Sequence, residues 1–176
     1  MNNFSTTLQR IKEDILAAFM LLTRFPVNWE KVSPNTEPNI NRSLWAYPIV
    51  GLVISIVGAV VYWVSTMLLL PQFSCVILSL TAMILSTGAF HEDGLADVVD
   101  GFGGGLTVDK KLEIMRDSQI GTYGGLALII SILLKVSLLS SFNTEQVIIA
   151  LIVGAMLSRV MIIIALRILP AARKNS

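Results

Sequence analysis

The chain has one cysteine, one histidine and little charge: of 176 residues, 14% are Asp, Glu, Lys or Arg. A single thiol, Cys75, excludes an intrachain disulfide, a cysteine-rich zinc site and a thiol-pair redox motif. It lies in an apolar run and reads as a small, inert hydrophobe. The formal net charge is +1 and there is no basic tract, so no electrostatic footprint for nucleic acid is present. Residues 44–90 carry no charge at all. No internal repeat or low-complexity tract is visible.

What the chain has instead is apolar surface. It is 54% hydrophobic with a mean hydropathy of +0.73, which places it among multi-pass membrane proteins of all-α class. Apolar runs predict four spans, at 44–70, 73–90, 124–141 and 147–169, each long enough to cross about 30 Å of hydrocarbon. Trp45, Tyr47 and Trp63 suit interfacial positions. The implied layout is one membrane domain: an N-terminal segment (1–43), a helical hairpin (44–90), a polar segment (91–123), a second hairpin (124–169) and a tail (170–176). Within the first segment, "LQRIKEDILAAFMLLTRF" has Glu13 and Asp14 directly before its apolar stretch and no small-residue cleavage pattern, which argues against a secretion signal. Phe4, Leu8, Ile11, Ile15 and Leu22 recur at near-helical spacing, predicting an amphipathic helix at the interface or packed on the bundle. A polar linker with three prolines follows, over 25–43.

Basic residues set the orientation. Arg10, Lys12, Arg24, Lys31 and Arg42 precede the first span, Lys110, Lys111 and Arg116 lie in the polar segment, and Arg173 and Lys174 lie in the tail. The two short connections, near 71 and 143, have none. The positive-inside rule therefore puts both termini and the polar segment in the cytoplasm.

The polar segment holds seven of the chain's twelve acids: Glu92, Asp93, Asp97, Asp100, Asp109, Glu113 and Asp117. In "FHEDGLADVVDGFGGG", Asp93, Asp97 and Asp100 stand at i, i+4 and i+7, which on a helix is one face. Three carboxylates so placed repel one another, and a divalent cation removes the conflict. Oxygen ligands without histidine or thiolate favour Mg²⁺ or Mn²⁺. One carboxylate, Asp97 or Asp100, could remain as general base. The glycines Gly101, Gly103 and Gly104 follow at once, and "MRDSQIGTYGG" adds Arg116, Asp117 and Gly121. Glycines allow backbone N–H groups close to phosphate, and arginine is a planar phosphate donor. Metal, glycines and arginine together suggest phosphoryl transfer from a pyrophosphate.

A plainer reading stands beside this one. An acidic loop can be a solvated connector with Asp at helix caps and Gly in turns. Glu92 and Asp109 fit that class, His91 reads as an interface residue, and Asp109, Lys110, Lys111 and Glu113 read as a solvated helix face. Two charges fall inside predicted spans. Lys135 is expected to snorkel outward, and Arg159 to face the bundle interior, there to contact a substrate phosphate or brace an aspartate.

"HEDGLADVVDGFGGG" followed by "IMRDSQIGTYG", with "FMLLTRFPV" and "YPIVGLVIS" upstream, resembles the cobalamin synthase family, the adenosylcobinamide-GDP ribazoletransferases. The resemblance runs from about residue 17 to the end. It implies a Mg²⁺-dependent enzyme of the bacterial inner membrane. Such an enzyme joins adenosylcobinamide-GDP to α-ribazole, or its 5′-phosphate, and releases GMP. It implies Asp93, Asp97 and Asp100 as metal ligands, one of them a base, with Arg116 and Asp117 assisting at phosphate or metal. Family members run on past the position of Ser176 with further spans, so the resemblance also implies a C-terminally truncated member. Oligomeric state is left open, a homo-oligomer included. The nearest rival is a CDP-alcohol phosphotransferase, whose D-G-x-x-A-R signature differs here at Asp97, which follows Ala96 where that family has Arg. An ion-transporter subunit or an inert fragment is the rival of another class; a transporter would place its acids at mid-membrane within inverted repeats.

Overall fold

The computed structural model describes residues 2–34, 36–170 and 172, with side chains from residue 6 onward. Phe4 of the predicted stripe is therefore described by backbone alone, and Arg173 and Lys174 of the orientation argument lie outside the described residues. Among the described residues the chain is helical and has no strand.

Helix α1 spans Asn2–Leu22. Two single-turn helices follow, α2 (Trp29–Val32) and α3 (Ile40–Ser43). Each is opened by an asparagine whose side-chain oxygen accepts a backbone N–H: Asn28 from Lys31 at 3.2 Å and Asn39 from Arg42 at 2.9 Å. A 3₁₀ turn at Leu44–Ala46 leads into α4 (Tyr47–Met67), with Pro48 in its first turn, where a missing N–H costs nothing. The first span is thus a continuous helical run over Ile40–Met67. It begins before the predicted residue 44 and ends before 70, because Leu69 takes a left-handed conformation (φ 58°) and turns the chain.

The second predicted span, 73–90, does not form as one. Helix α5 covers Gln72–Thr87, about 24 Å at 1.5 Å per residue, less than a typical hydrocarbon core. Gly88 (φ 64°) and Ala89 (φ 58°) are both left-handed, and the chain bends by 87° into α6 (Phe90–Gly104). Glycine suits the first of these positions because it has no Cβ penalty. The polar segment that follows is mostly helical: α6, then α7 (Val108–Ile114), capped by the Thr107 hydroxyl. Helices α8 (Thr122–Ser140) and α9 (Thr144–Ile168) follow; α8 packs mainly on α6 and α9 on α4, and α9 opens on a reciprocal capping box between Asn143 and Gln146. Among the described residues three helices are long and apolar enough to cross a membrane, or four spans if the bent α5–α6 pair counts as one.

Helix α4 is the hub, packed against α5 and α9. Small residues allow this. A Cβ on Gly51 would lie 2.6 Å from the Ala155 carbonyl of α9, so that crossing exists only with glycine there. Ser79 of α5 donates to the Gly58 carbonyl at 2.8 Å. One core cluster joins Ala18 and Leu22 of α1 to Leu44, Tyr47, Val50 and Ile54; another joins Tyr62, Cys75, Val76, Val136, Val147 and Leu151. Cys75 is fully buried, as its apolar neighbours suggest. Tyr47 departs from expectation: it is a core residue, not an interfacial one, because α1 covers it.

Helix α1 packs on α3 and α4, but not by the whole predicted stripe. Asp14, Ala17, Ala18 and Leu22 are buried, while Leu8 and Ile11 are exposed. The face turns because polar contacts dock this helix. Asp14 pairs with the Arg42 Nε and accepts the Trp45 indole N–H at 3.0 Å. Glu13 pairs with Arg42 Nη2 at 2.9 Å and accepts the Ser33 hydroxyl at 3.0 Å.

Candidate active site

Helix α6 carries Asp93, Asp97 and Asp100 on successive turns, as their spacing predicts. Their surroundings differ step by step. Asp93 is exposed, Asp97 half-buried and Asp100 buried.

Asp100 is held by backbone. Its Oδ2 accepts the Gly121 N–H and its Oδ1 the Gly124 N–H, both at 2.8 Å. These are orphan donors of the first turn of α8, which has no side-chain cap of its own. Asp100 therefore caps a helix remote in sequence. The glycines are required by this contact: a Cβ at either position would strike the carboxylate, and one at Gly124 would also lie 2.8 Å from the Ala96 carbonyl. The Gly121 N–H, read from sequence as a phosphate donor, is committed to Asp100.

Asp97 has the opposite environment. Burial pushes its carboxyl above the usual range, and the nearby charges of Asp93 and Asp100 push it further.

The glycine run also differs from expectation. Gly101, Gly103 and Gly104 are helical residues of α6, not a loop, so their N–H groups point along the helix toward carbonyls four residues back. Their missing side chains admit neighbours. A Cβ on Gly101 would lie 2.8 Å from the Met115 side chain, and one on Gly103 would lie 2.6 Å from the Tyr123 ring. Arg116 and Asp117 sit exposed in the turn between α7 and α8, where Asp117 Oδ1 accepts the Gln119 N–H at 3.0 Å. Lys110 and Glu113 form an exposed ion pair at 2.8 Å, as a solvated face would.

One residue of the site, Arg24, escapes sequence reasoning. Arg24 lines a cavity of about 490 Å³ together with Met20, Thr23, Thr87, Phe90 and Asp93. Its backbone N–H donates to the Ser86 carbonyl at 2.8 Å, and its side chain fills the space that a Cβ on Gly88 would need. A polar TRF at the end of an apolar helix was the available signal. Glu92, read as a solvated connector, is instead half-buried on the other side of α6, where one oxygen lies 3.8 Å from Lys135 Nζ. Lys135 is half-exposed, as snorkelling predicts, while its Nζ faces Glu92. Arg159 is buried in the same cavity as Glu92 and His91; among the described residues no aspartate lines that cavity.

The chemistry of the donors tests their fitness for a metal. Among the described residues no three His, Cys, Asp or Glu side chains converge as a ready-made metal cluster. Asp93 and Asp97 are hard oxygen donors in mutual repulsion, which a Mg²⁺ ion would relieve. Asp100 spends two of its roughly four lone-pair positions on backbone and keeps the others.

Fold and site together define a helical membrane protein with a carboxylate-bearing helix packed beside its spans. Residues 14–176 match the family described as cobalamin-5-phosphate synthase (CobS), and the chain belongs to that family. It is 47% identical over 136 residues to the adenosylcobinamide-GDP ribazoletransferase of Xanthobacter autotrophicus, covering 76% of this chain and 51% of that protein. The proteins of the same name from Bradyrhizobium diazoefficiens and Azorhizobium caulinodans are each 41% identical over 170 residues, covering 96% and 94% of this chain and 65% and 64% of theirs. The chain thus spans between about half and two thirds of the length of these relatives. No solved structure matches it.

Proposed function

We propose that the chain carries the aspartate helix of an adenosylcobinamide-GDP ribazoletransferase of the bacterial inner membrane, with α6 on the cytoplasmic side. The observation that carries this reading is the graded face of α6, with Asp93 beside Arg24 across one cavity, in a member of this family. In the reaction a ribose hydroxyl of α-ribazole, or of its 5′-phosphate, attacks the phosphorus on the cobinamide side of the diphosphate. The new P–O bond forms, the bond to the bridging oxygen breaks, and GMP leaves.

Asp93 and the spare lone pairs of Asp100 would hold Mg²⁺, leaving Asp97 between them free. The ion would neutralise charge on the diphosphate and the leaving phosphate. Arg24, facing the Asp93 cavity, supplies a guanidinium for phosphate oxygens. Arg116, exposed on the turn before α8, supplies a second. Asp97, left free between them, would be the proton acceptor for the attacking hydroxyl. Asp100 positions α6 against α8.

The test is GMP release from adenosylcobinamide-GDP and α-ribazole in proteoliposomes, with and without Mg²⁺. It should be run for this chain and for a version extended to its relatives' length. Mg²⁺-dependent release that is lost in Asp97→Asn is expected. Release unaffected by that substitution, or activity on CDP-diacylglycerol instead, would overturn the reading.

A further inference from the structure

The side of α6 opposite Asp93 borders a second cavity, of about 610 Å³. Its wall is built by α4, α5, α8 and α9 and is mostly apolar, with Ile54, Leu80, Met83, Ile132, Leu139 and Leu151 among its lining. Four titratable side chains break that lining: His91, Glu92, Lys135 and Arg159. They do not satisfy one another. Arg159 is 7% exposed; its Nη1 donates to the Ser158 hydroxyl at 2.9 Å and reaches the Ala155 carbonyl at 3.5 Å. Its Nε, the His91 Nε2 and one Glu92 oxygen are buried without a hydrogen-bond partner among the described residues. Lys135 Nζ stands 3.8 Å from the other Glu92 oxygen, too far for a good hydrogen bond.

Charge counting gives one acid against two cations, a surplus of one positive charge at the cavity, with Arg159 buried inside it and Lys135 half-exposed at its rim. Such a surplus is costly unless an anion meets it. Three of the cavity's helices, α4, α8 and α9, are those long and apolar enough to cross a membrane. The outer faces of α8 carry exposed Ile129, Ile130, Leu133 and Leu134, a surface suited to acyl chains. The neighbouring solvent is therefore lipid, and it offers molecules that combine an anionic oxygen group with an apolar chain.

We propose that this cavity binds one anionic phospholipid, its phosphate on Arg159, Lys135 and His91 and an acyl chain along the apolar wall. The phosphate oxygens accept from Arg159 Nε and, in the tautomer protonated there, from His91 Nε2. A zwitterionic lipid brings its own cation and leaves the surplus charge uncompensated. Free phosphate has no part to cover the apolar wall. The inference does not rest on the reaction proposed above.

The full chain in nanodiscs of equal phosphatidylglycerol and phosphatidylcholine, analysed by native mass spectrometry after partial delipidation, tests it. One retained phosphatidylglycerol per chain is expected. Each basic residue contributes about fivefold to the preference, from roughly 1 kcal/mol per Lys or Arg at an anionic lipid surface. Lys135→Gln should lose about that factor and Arg159→Gln at least as much. Glu92→Gln should strengthen retention, since it removes the competing acid, and Lys110→Gln, on the solvated face of α7, should leave it unchanged. Should Arg159→Gln fail to fold, the opposite signs expected at Lys135 and Glu92 still decide. The proposal is overturned by equal retention of the two lipids or by equal retention in Lys135→Gln and Glu92→Gln. Displacement by millimolar inorganic phosphate, which marks a soluble-phosphate site, also overturns it, as does a lipid-free dimer whose partner copy fills the cavity.

Discussion

Asp97 and Asp100 lie three residues apart on one helix and are in opposite situations. Two backbone N–H groups meet the charge of Asp100. Burial and two neighbouring carboxylates oppose the charge of Asp97. The first arrangement fixes α6 to α8, and the second leaves a carboxylate primed for a proton or a cation. Residue type and spacing are shared by both; the donors around each decide its role.

That contrast can be broken by experiment. The largest effect is expected at Asp97. Asp97→Asn should lower GMP release by about 10²–10⁴-fold, the usual span for a lost general base, while thermal unfolding in detergent stays unchanged. Asp100→Asn should do the reverse in stability: an amide offers one acceptor oxygen where two donors wait, and the loss should be about 1–3 kcal/mol. If the two variants unfold alike, the division of roles fails. Gly124→Ala should reproduce the Asp100 defect at a similar cost of about 1–3 kcal/mol, since its methyl group enters the carboxylate's seat. Gly124→Ala combined with Asp100→Asn should cost little more than either alone, since both break the same contact; fully additive losses would count against the assignment.

The smallest expected effect concerns a third acid, Glu13. Burial raises its carboxyl, but hydrogen bonds from Arg42, Ser33 and Gln9 outweigh this and hold it below the usual carboxylate range. A depressed acid contributes above its unfolded pKa and loses that contribution as pH falls through the lower folded value. Hydrogen exchange of α1 amides should therefore quicken in that acid window, and Glu13→Gln should abolish the dependence. The stabilisation involved is less than about 1 kcal/mol, as for other solvent-accessible pairs.

Much of this was legible in the sequence. The all-α class, the positions of α4, α8 and α9 and the shared face of the aspartates follow from hydropathy and i, i+4, i+7 spacing, which are local properties. The α5–α6 break was less so: an uninterrupted apolar run conceals two left-handed residues, of which one is alanine. The role of Asp100 required knowing that α8 begins against α6, a contact across 21 residues that no periodicity encodes. Glu92 and Arg159 come together only when α6 and α9 border one cavity. Tyr47 looked interfacial because tyrosines at span ends commonly are, and only the docking of α1 buries it.

The bend at Gly88 has a consequence for how the protein can change. Position 88 is closed to other residues twice over, by its left-handed backbone and by the Arg24 side chain that occupies the space of a Cβ. Relief of one barrier leaves the other standing. A larger residue at 88 would have to push the Arg24 side chain aside, and with it the guanidinium that lines the cavity of Asp93. Hinge and arginine are thus coupled by contact.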